Sequence, residues 1–123
     1  MAYEMRFYVV DKLKPTGEDL KFGKVIASYD YCCDYDLARF LDDKSKPTDC
    51  YIYINDDETH TDMYGDEITE ISINDLLDYM ESKPNKEYRR YLPFVAMLKG
   101  FKEIQENPNT EHFDNLVVLR YGY

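Results

Sequence analysis

The run Leu116-Val117-Val118-Leu119 constrains the fold more than any other segment of this chain. It fills both parities of an extended strand with apolar side chains, so neither face suits water. A strand of that kind belongs inside a sheet, with a neighbour on each side. Residues 3–11 offer one neighbour: Tyr3, Met5, Phe7 and Val9 alternate with Glu4, Arg6, Tyr8 and Val10, the period of a strand with one buried face. Pro15 and Gly17 mark a loop, and residues 23–29 return as the antiparallel partner of the first strand.

Further along, Asp34 or Asp36 caps a short helix carrying Leu37, Phe40 and Leu41 at helical spacing, which stops before Pro47. Residues 50–54 read as a short strand, 55–65 as a polar loop, and 66–72 as an isoleucine- and threonine-rich strand closing a hairpin with 50–54. Ser72 or Asn74 opens a helix with Ile73, Leu76, Leu77 and Met80 inward. Residues 86–106 carry Tyr88, Tyr91, Leu92, Val95, Leu98 and Phe101 on one broad apolar face, with Pro93 starting or kinking the helix there. At 123 residues the chain has room for one domain, 1–123, burying roughly two-thirds of its extended surface. The expected architecture is α+β. A single, mainly antiparallel sheet of about five strands (3–11, 23–29, 50–54, 66–72 and 115–121) is covered on a face by about three helices near 35–43, 74–82 and 86–106.

The formal net charge is −10, which argues against a broad grip on nucleic acid or anionic lipid. Its placement is more telling than its size. No lysine or arginine occurs between Pro47 and Ser82, while that stretch holds eleven acids; elsewhere fifteen basic residues face fourteen acidic ones. The middle of the chain therefore carries the whole excess, either as a solvated face or as a surface shaped for a basic partner. Carboxylates on one strand face recur about every 6.6–6.8 Å, and duplex DNA presents about one charge per 1.7 Å. A hairpin plus helix over 49–81 is expected to display rows of negative charge. Asp56, Asp57, Glu58, Asp62, Asp66 and Glu67 are the expected contact acids, because a loop tip presents side chains with little competing packing. Tyr53 and Tyr64, close to them in sequence, are the expected aromatic anchors.

Tyrosine is the second anomaly: there are thirteen, and no tryptophan. Many suit strand positions, yet a domain of this size is not expected to bury and pair every phenol, so several should be exposed at a binding surface. A basic counter-patch of Lys83, Lys86, Arg89 and Arg90, with Lys99 and Lys102 further on, stands where the long helix begins. Cations there oppose the helix dipole. They either pair with acids of the preceding helix or give the molecule a charge dipole.

Catalytic and cofactor chemistry finds little support. His60 and His112 sit in no triad-like or metal-binding spacing. Cys32 and Cys33 are adjacent and lack redox or zinc spacing, and Cys50 reads as a small core residue. Three free thiols are expected. In the acid-rich loop, a calcium frame starting at Asp56 puts His60 at its fifth position and Thr61 at its sixth, where such loops need a ligand and a glycine. No catalytic residue, metal or cofactor is assigned. Residues 1–20 lack the apolar run of a signal peptide, no run approaches a membrane span, and so few cysteines point to a reducing cytoplasm.

In size, acidity, tyrosine content and the style of its MAYEMRFYVVDK and LVVLRYGY segments, the chain resembles small inhibitors encoded by phages and mobile elements of Gram-positive bacteria, of the anti-CRISPR kind. That resemblance carries over no functional residue. It implies a non-enzymatic, protein-binding inhibitor whose acidic surface mimics DNA and occupies the basic channel of a partner, a CRISPR effector nuclease above all, in the host bacterial cytoplasm. Such effectors hold nucleic acid in positively charged channels. Two alternatives stand beside it: a small cytosolic hydrolase or metal-binding protein built on carboxylates, and a structural or regulatory phage protein that oligomerises through a tyrosine-rich sheet.

Overall fold

The computed structural model describes residues 3–12, 21–33, 35–61, 65–107 and 115–122. In chain order these form β1 (Tyr3–Lys12), β2 (Lys21–Cys33), α1 (Tyr35–Lys44), β3 (Lys46–Pro47), β4 (Cys50–Ile54), β5 (Asp57–Thr59), β6 (Thr69–Ile71), α2 (Ile73–Ser82), α3 (Tyr91–Glu106) and β7 (Leu116–Gly122). The strands make one sheet in the order β3-β6-β7-β1-β2-β4-β5. The doubly apolar β7 lies inside it, antiparallel to both β1 and β6, and β1 is antiparallel to β2.

Three features depart from the sequence reading. The sheet has seven strands and is mixed, because β4 runs parallel to β2 through Lys21–Cys50 and Phe22–Tyr51. The partner of β4 in its hairpin is β5, inside the segment read as a polar loop, and not residues 66–72. Those residues supply the short β6 instead, between β3 and β7. Finally, the long helix begins at Tyr91, with 86–90 forming turns, so Pro93 falls in its first turn, where its missing N–H breaks no helical bond.

Alternation along the central strands builds two cores. Met5, Phe7 and Val9 of β1 and Leu116 and Val118 of β7 face the helices, meeting Leu37 and Leu41 of α1, Leu76 and Leu77 of α2, and Phe94 and Leu98 of α3. The opposite parity, Tyr8, Val10, Val117 and Leu119, meets Cys50 and Ile52 of β4 together with Ile68. This second core exists because the sheet curls. The β1–β2 register slips between Val9 and Val10, which pair with Ala27 and Val25 and leave Ile26 as a bulge; such an insertion bends a strand and steepens its twist. The curl then nearly closes, as Ile68 N donates to His60 O (3.2 Å), Thr48 N donates to Ile68 O (3.0 Å), and Thr61 bridges Glu67. Gly23 permits β2 to lie this close: a Cβ there would stand 3.1 Å from Cys50 Sγ and 3.2 Å from Ile52 Cγ2.

Helix boundaries follow local chemistry. Ser72 caps α2 by accepting from Asp75 N (3.1 Å), whereas Asp36 lies within the first turn of α1 and Asp34 is outside the described residues. Gly100 sits in the interior of α3 on its exposed side, and a Cβ there meets nothing within 4 Å. Gly100→Ala is therefore expected to stabilise the fold by about 0.5–1 kcal/mol, because alanine lowers the backbone entropy lost in a helix. A urea midpoint that rises with an unchanged slope checks it; a midpoint that stays or falls counts against it.

Candidate functional site

The expected contact acids are carried by the last hairpin of the sheet and the segment that locks onto it. Ile54 pairs with Asp57 across a two-residue turn, Asn55-Asp56, in which both residues take positive φ (51° and 67°). Asparagine and aspartate accept that left-handed conformation more readily than other side-bearing residues, and two such residues in succession suit a tight hairpin. The turn thrusts Asp56 outward. Beyond it, Glu58 stands directly across from Tyr53 and shares its face, while Asp57, across from Ile54, points to the other side. The Thr61–Glu67 bridge and the Ile68–His60 hydrogen bond bring Asp66 and Glu67 alongside the end of β5. Buried Ile68 and Ile52 anchor this lobe from below.

Asp56, Asp57, Glu58, Asp66 and Glu67 are all exposed, and Tyr53 is 50% exposed. Asp62 and Tyr64 lie outside the described residues. The structure thus gathers five of the six acids and one of the two aromatics into one lobe. It does so differently from a row on one strand face, since β5 alternates its acids and the remainder come from a second segment.

Other acids of the stretch have different work. Glu70, only 5% exposed, accepts from Lys12 Nζ through both oxygens (3.0 and 3.2 Å) and from Thr48 Oγ1 (3.1 Å). Asp49 meets the same Nζ at 2.6 Å. Burial alone would lower the Lys12 pKa, but its hydrogen bonds to Asp49 and Glu70 outweigh it and hold the ammonium above the ordinary lysine value. The pair crosses β7 on the inner face, because β1 and β6 flank that strand. Next to it, burial pushes the Cys50 thiol up, and Thr48 Oγ1 lies 3.0 Å from Sγ. On α2, Asp75 and Asp78 line a groove of about 360 Å³ against α1, with Lys44, Phe40, Tyr79 and Ser82.

The tyrosines are mostly architectural. Tyr29 donates to Arg90 O (3.0 Å), Tyr91 donates to Met80 O (2.8 Å), and the Tyr88 hydroxyl accepts from Cys32 N (2.9 Å). Among the tyrosines whose side chains are described, only Tyr35 and Tyr53 are exposed. In the basic patch, Lys83, Lys86 and Arg89 are exposed, while Arg90 donates to Asp30 O (2.9 Å). The ion pair between Lys99 and Glu81 (3.6 Å) ties α3 to α2, as the pairing alternative foresees for that residue. Arg6 holds Asp30 at 2.6 Å and keeps its carboxyl below the ordinary value.

Cys32 and Cys50 are free thiols, exposed and buried respectively; the Cys33 side chain is outside the described residues. Among the described residues no group of three or more His, Cys, Asp or Glu is placed to hold a metal ion, and no helix is long and apolar enough to cross a membrane. The fold and lobe define an α+β protein with a curled mixed sheet and an acidic terminal hairpin. No protein-family model, curated protein or solved structure matches the chain.

Proposed function

We propose that this protein is a non-enzymatic inhibitor that lays its acidic hairpin lobe on the basic nucleic-acid-binding surface of a partner protein and excludes the nucleic acid by mimicking its charge. A DNA-cutting CRISPR effector is the partner that best suits this reading. The observation that carries it is the convergence of Asp56, Asp57, Glu58, Asp66 and Glu67 on one projecting lobe, within a stretch that contains no lysine or arginine. A projecting hairpin gives carboxylates access to a channel lined by arginine and lysine, where charge-assisted hydrogen bonds form. Occlusion needs no reacting group.

The test is competition. Purified DNA-cutting effectors loaded with guide are mixed with the protein before or after target DNA, and DNA binding is measured. Inhibition is expected when the protein is added first, and it should weaken as salt rises, because exposed charges are screened over a Debye length of ~8 Å at physiological strength. Reversing Asp56, Asp57, Glu58, Asp62, Asp66 and Glu67 to lysine should abolish binding with the far-UV spectrum unchanged. Reversing Asp43, Glu103 and Glu106, exposed on α1 and α3, should do far less. Asp42 is a poor control, since it pairs with the largely buried Arg120 at 3.0 Å. Undiminished binding by the sixfold variant, or indifference to salt, would overturn the mechanism.

A further inference from the structure

On the outer face of the hairpin the structure places three aromatic rings in mutual contact. Phe22 of β2 lies 5.6 Å from Tyr51 and 5.7 Å from Tyr53, and the two tyrosine rings of β4 are 5.9 Å apart. The parallel register that pairs Phe22 with Tyr51 puts both on one face, and Tyr53 follows two residues later on that face. The rings meet at 49–87°, so they present edges and faces in different directions. Glu58 stands across from Tyr53 on this face, at the ~4.5–5.5 Å Cβ spacing of directly opposed residues.

Elsewhere two tyrosine rings already carry a cation of this chain: Arg39 lies 5.7 Å above the Tyr35 ring and Lys83 lies 5.7 Å above Tyr79. Although exposed Lys24 follows Phe22 on this face of β2, no such cation–ring contact falls on Tyr53 among the described residues, and half of its surface is open. Its ring face and the Glu58 carboxylate therefore complement an incoming cation that is planar at one end and accepts ring stacking. A guanidinium meets both demands: it stacks on aromatic faces and forks onto a carboxylate, whereas an ammonium is a compact, strongly hydrated point charge.

We infer that the Phe22–Tyr51–Tyr53 strip with Glu58 is an arginine-docking surface, which seats an arginine side chain of the protein partner on the Tyr53 ring with its guanidinium against Glu58. This rests on the reading of the lobe as the partner-binding site and deepens it, because it selects arginine-bearing over lysine-bearing basic surfaces. Charge alone makes no such distinction.

The probes are two synthetic peptides of alternating glycine and either arginine or lysine, equal in length and charge, titrated into the full chain at fixed ionic strength. Binding is read by calorimetry and by tyrosine fluorescence, which no tryptophan obscures. The arginine peptide is expected to bind about two- to fivefold more tightly, the range of one exposed cation–π contact. Tyr53→Leu should erase that preference while leaving lysine-peptide affinity unchanged. Tyr53→Phe, which keeps a ring in the same place, should retain it, and Glu58→Gln should weaken the arginine peptide more than the lysine peptide. Equal binding of the two peptides to the parent, binding of neither, or a preference that survives Tyr53→Leu overturns the inference. Reversing Asp56, Asp57, Asp62, Asp66 and Glu67 while keeping Glu58 separates the two ideas. If that variant still binds the effector but the arginine preference follows the ring, the mimicry reading fails and the docking surface stands. If the variant loses the effector while the preference ignores the ring, the reverse holds.

Discussion

Lys12→Met is expected to destabilise the protein by about 3–5 kcal/mol, the usual consequence of removing one partner from a buried ion pair. The Lys12 side chain is 8% exposed and that of Glu70 6%, so methionine strands the Glu70 carboxyl inside the curl without its cation, beside the Thr48 hydroxyl. The double variant Lys12→Met/Glu70→Leu should recover much of the loss, because it removes the stranded charge together with its partner. The pH dependence carries a sign. The folded Lys12 pKa is raised, so its contribution is fully present below the unfolded lysine value, ~10.4, and fades as pH climbs through the higher folded value. Between pH 7 and that region the parent should keep its advantage over Lys12→Met, and above it the gap should narrow. Denaturant titrations of parent, single and double variants at three pH values measure this. A single variant within 1 kcal/mol of the parent at pH 7 would show that the buried pair is not holding the curl together.

Phe94→Ala should cost a similar amount, about 3–5 kcal/mol, for a different reason. Phe94 is fully buried and packs its ring on Phe7 (4.9 Å), Tyr31 (5.1 Å) and Tyr29 (5.4 Å), so it joins α3 to both β1 and β2. Truncation leaves a cavity between a helix and a sheet that cannot collapse without shifting the helix, since Tyr91 and Leu98 are fixed in the same core. Phe94→Leu should lose less than half as much. Unlike the Lys12 variant, neither Phe94 variant should alter the shape of the alkaline stability profile, and a change there would contradict the separation of the two cores.

Where side-chain pattern dictates structure, the sequence already discloses it. The two-sided β7 and the Ile73–Met80 spacing of α2 bury what their pattern says they should, whereas β1 buries Met5, Phe7 and Val9 as its alternation says but also Tyr8 and Val10 of the other parity, because the curl covers that face too. The features that stayed hidden have no such pattern. β3 is two exposed residues, Lys46 and Pro47, and β5 is the polar trio Asp57–Thr59, held by hydrogen bonds that carry no side-chain signature. The Asn55-Asp56 pair was a usable hint of a tight hairpin, since both residue types accept positive φ. Lys12 reads as the edge of a loop because its partners Asp49 and Glu70 come from distant elements, and only the curl brings them together. At the lobe, the acidic bias was legible in the absence of lysine and arginine, whereas the Phe22–Tyr51–Tyr53 cluster depends on a parallel β2–β4 pairing that no local signal announces.

The central position of β7 has a consequence for how the chain reaches this state. It is the last of the described strands to be synthesised, yet it separates β6 from β1, and Asn115 beside it bonds to Asp11 across 104 residues of sequence. Until it emerges from the ribosome, β1 and β6 lack the neighbour that pairs the backbone N–H and C=O groups along those edges. Contacts this distant in sequence must close a long loop before they yield any stabilisation, which slows folding. The sheet therefore cannot be completed before β7 has been made, and until then β1 and β6 lack the strand that separates these two edges from self-association.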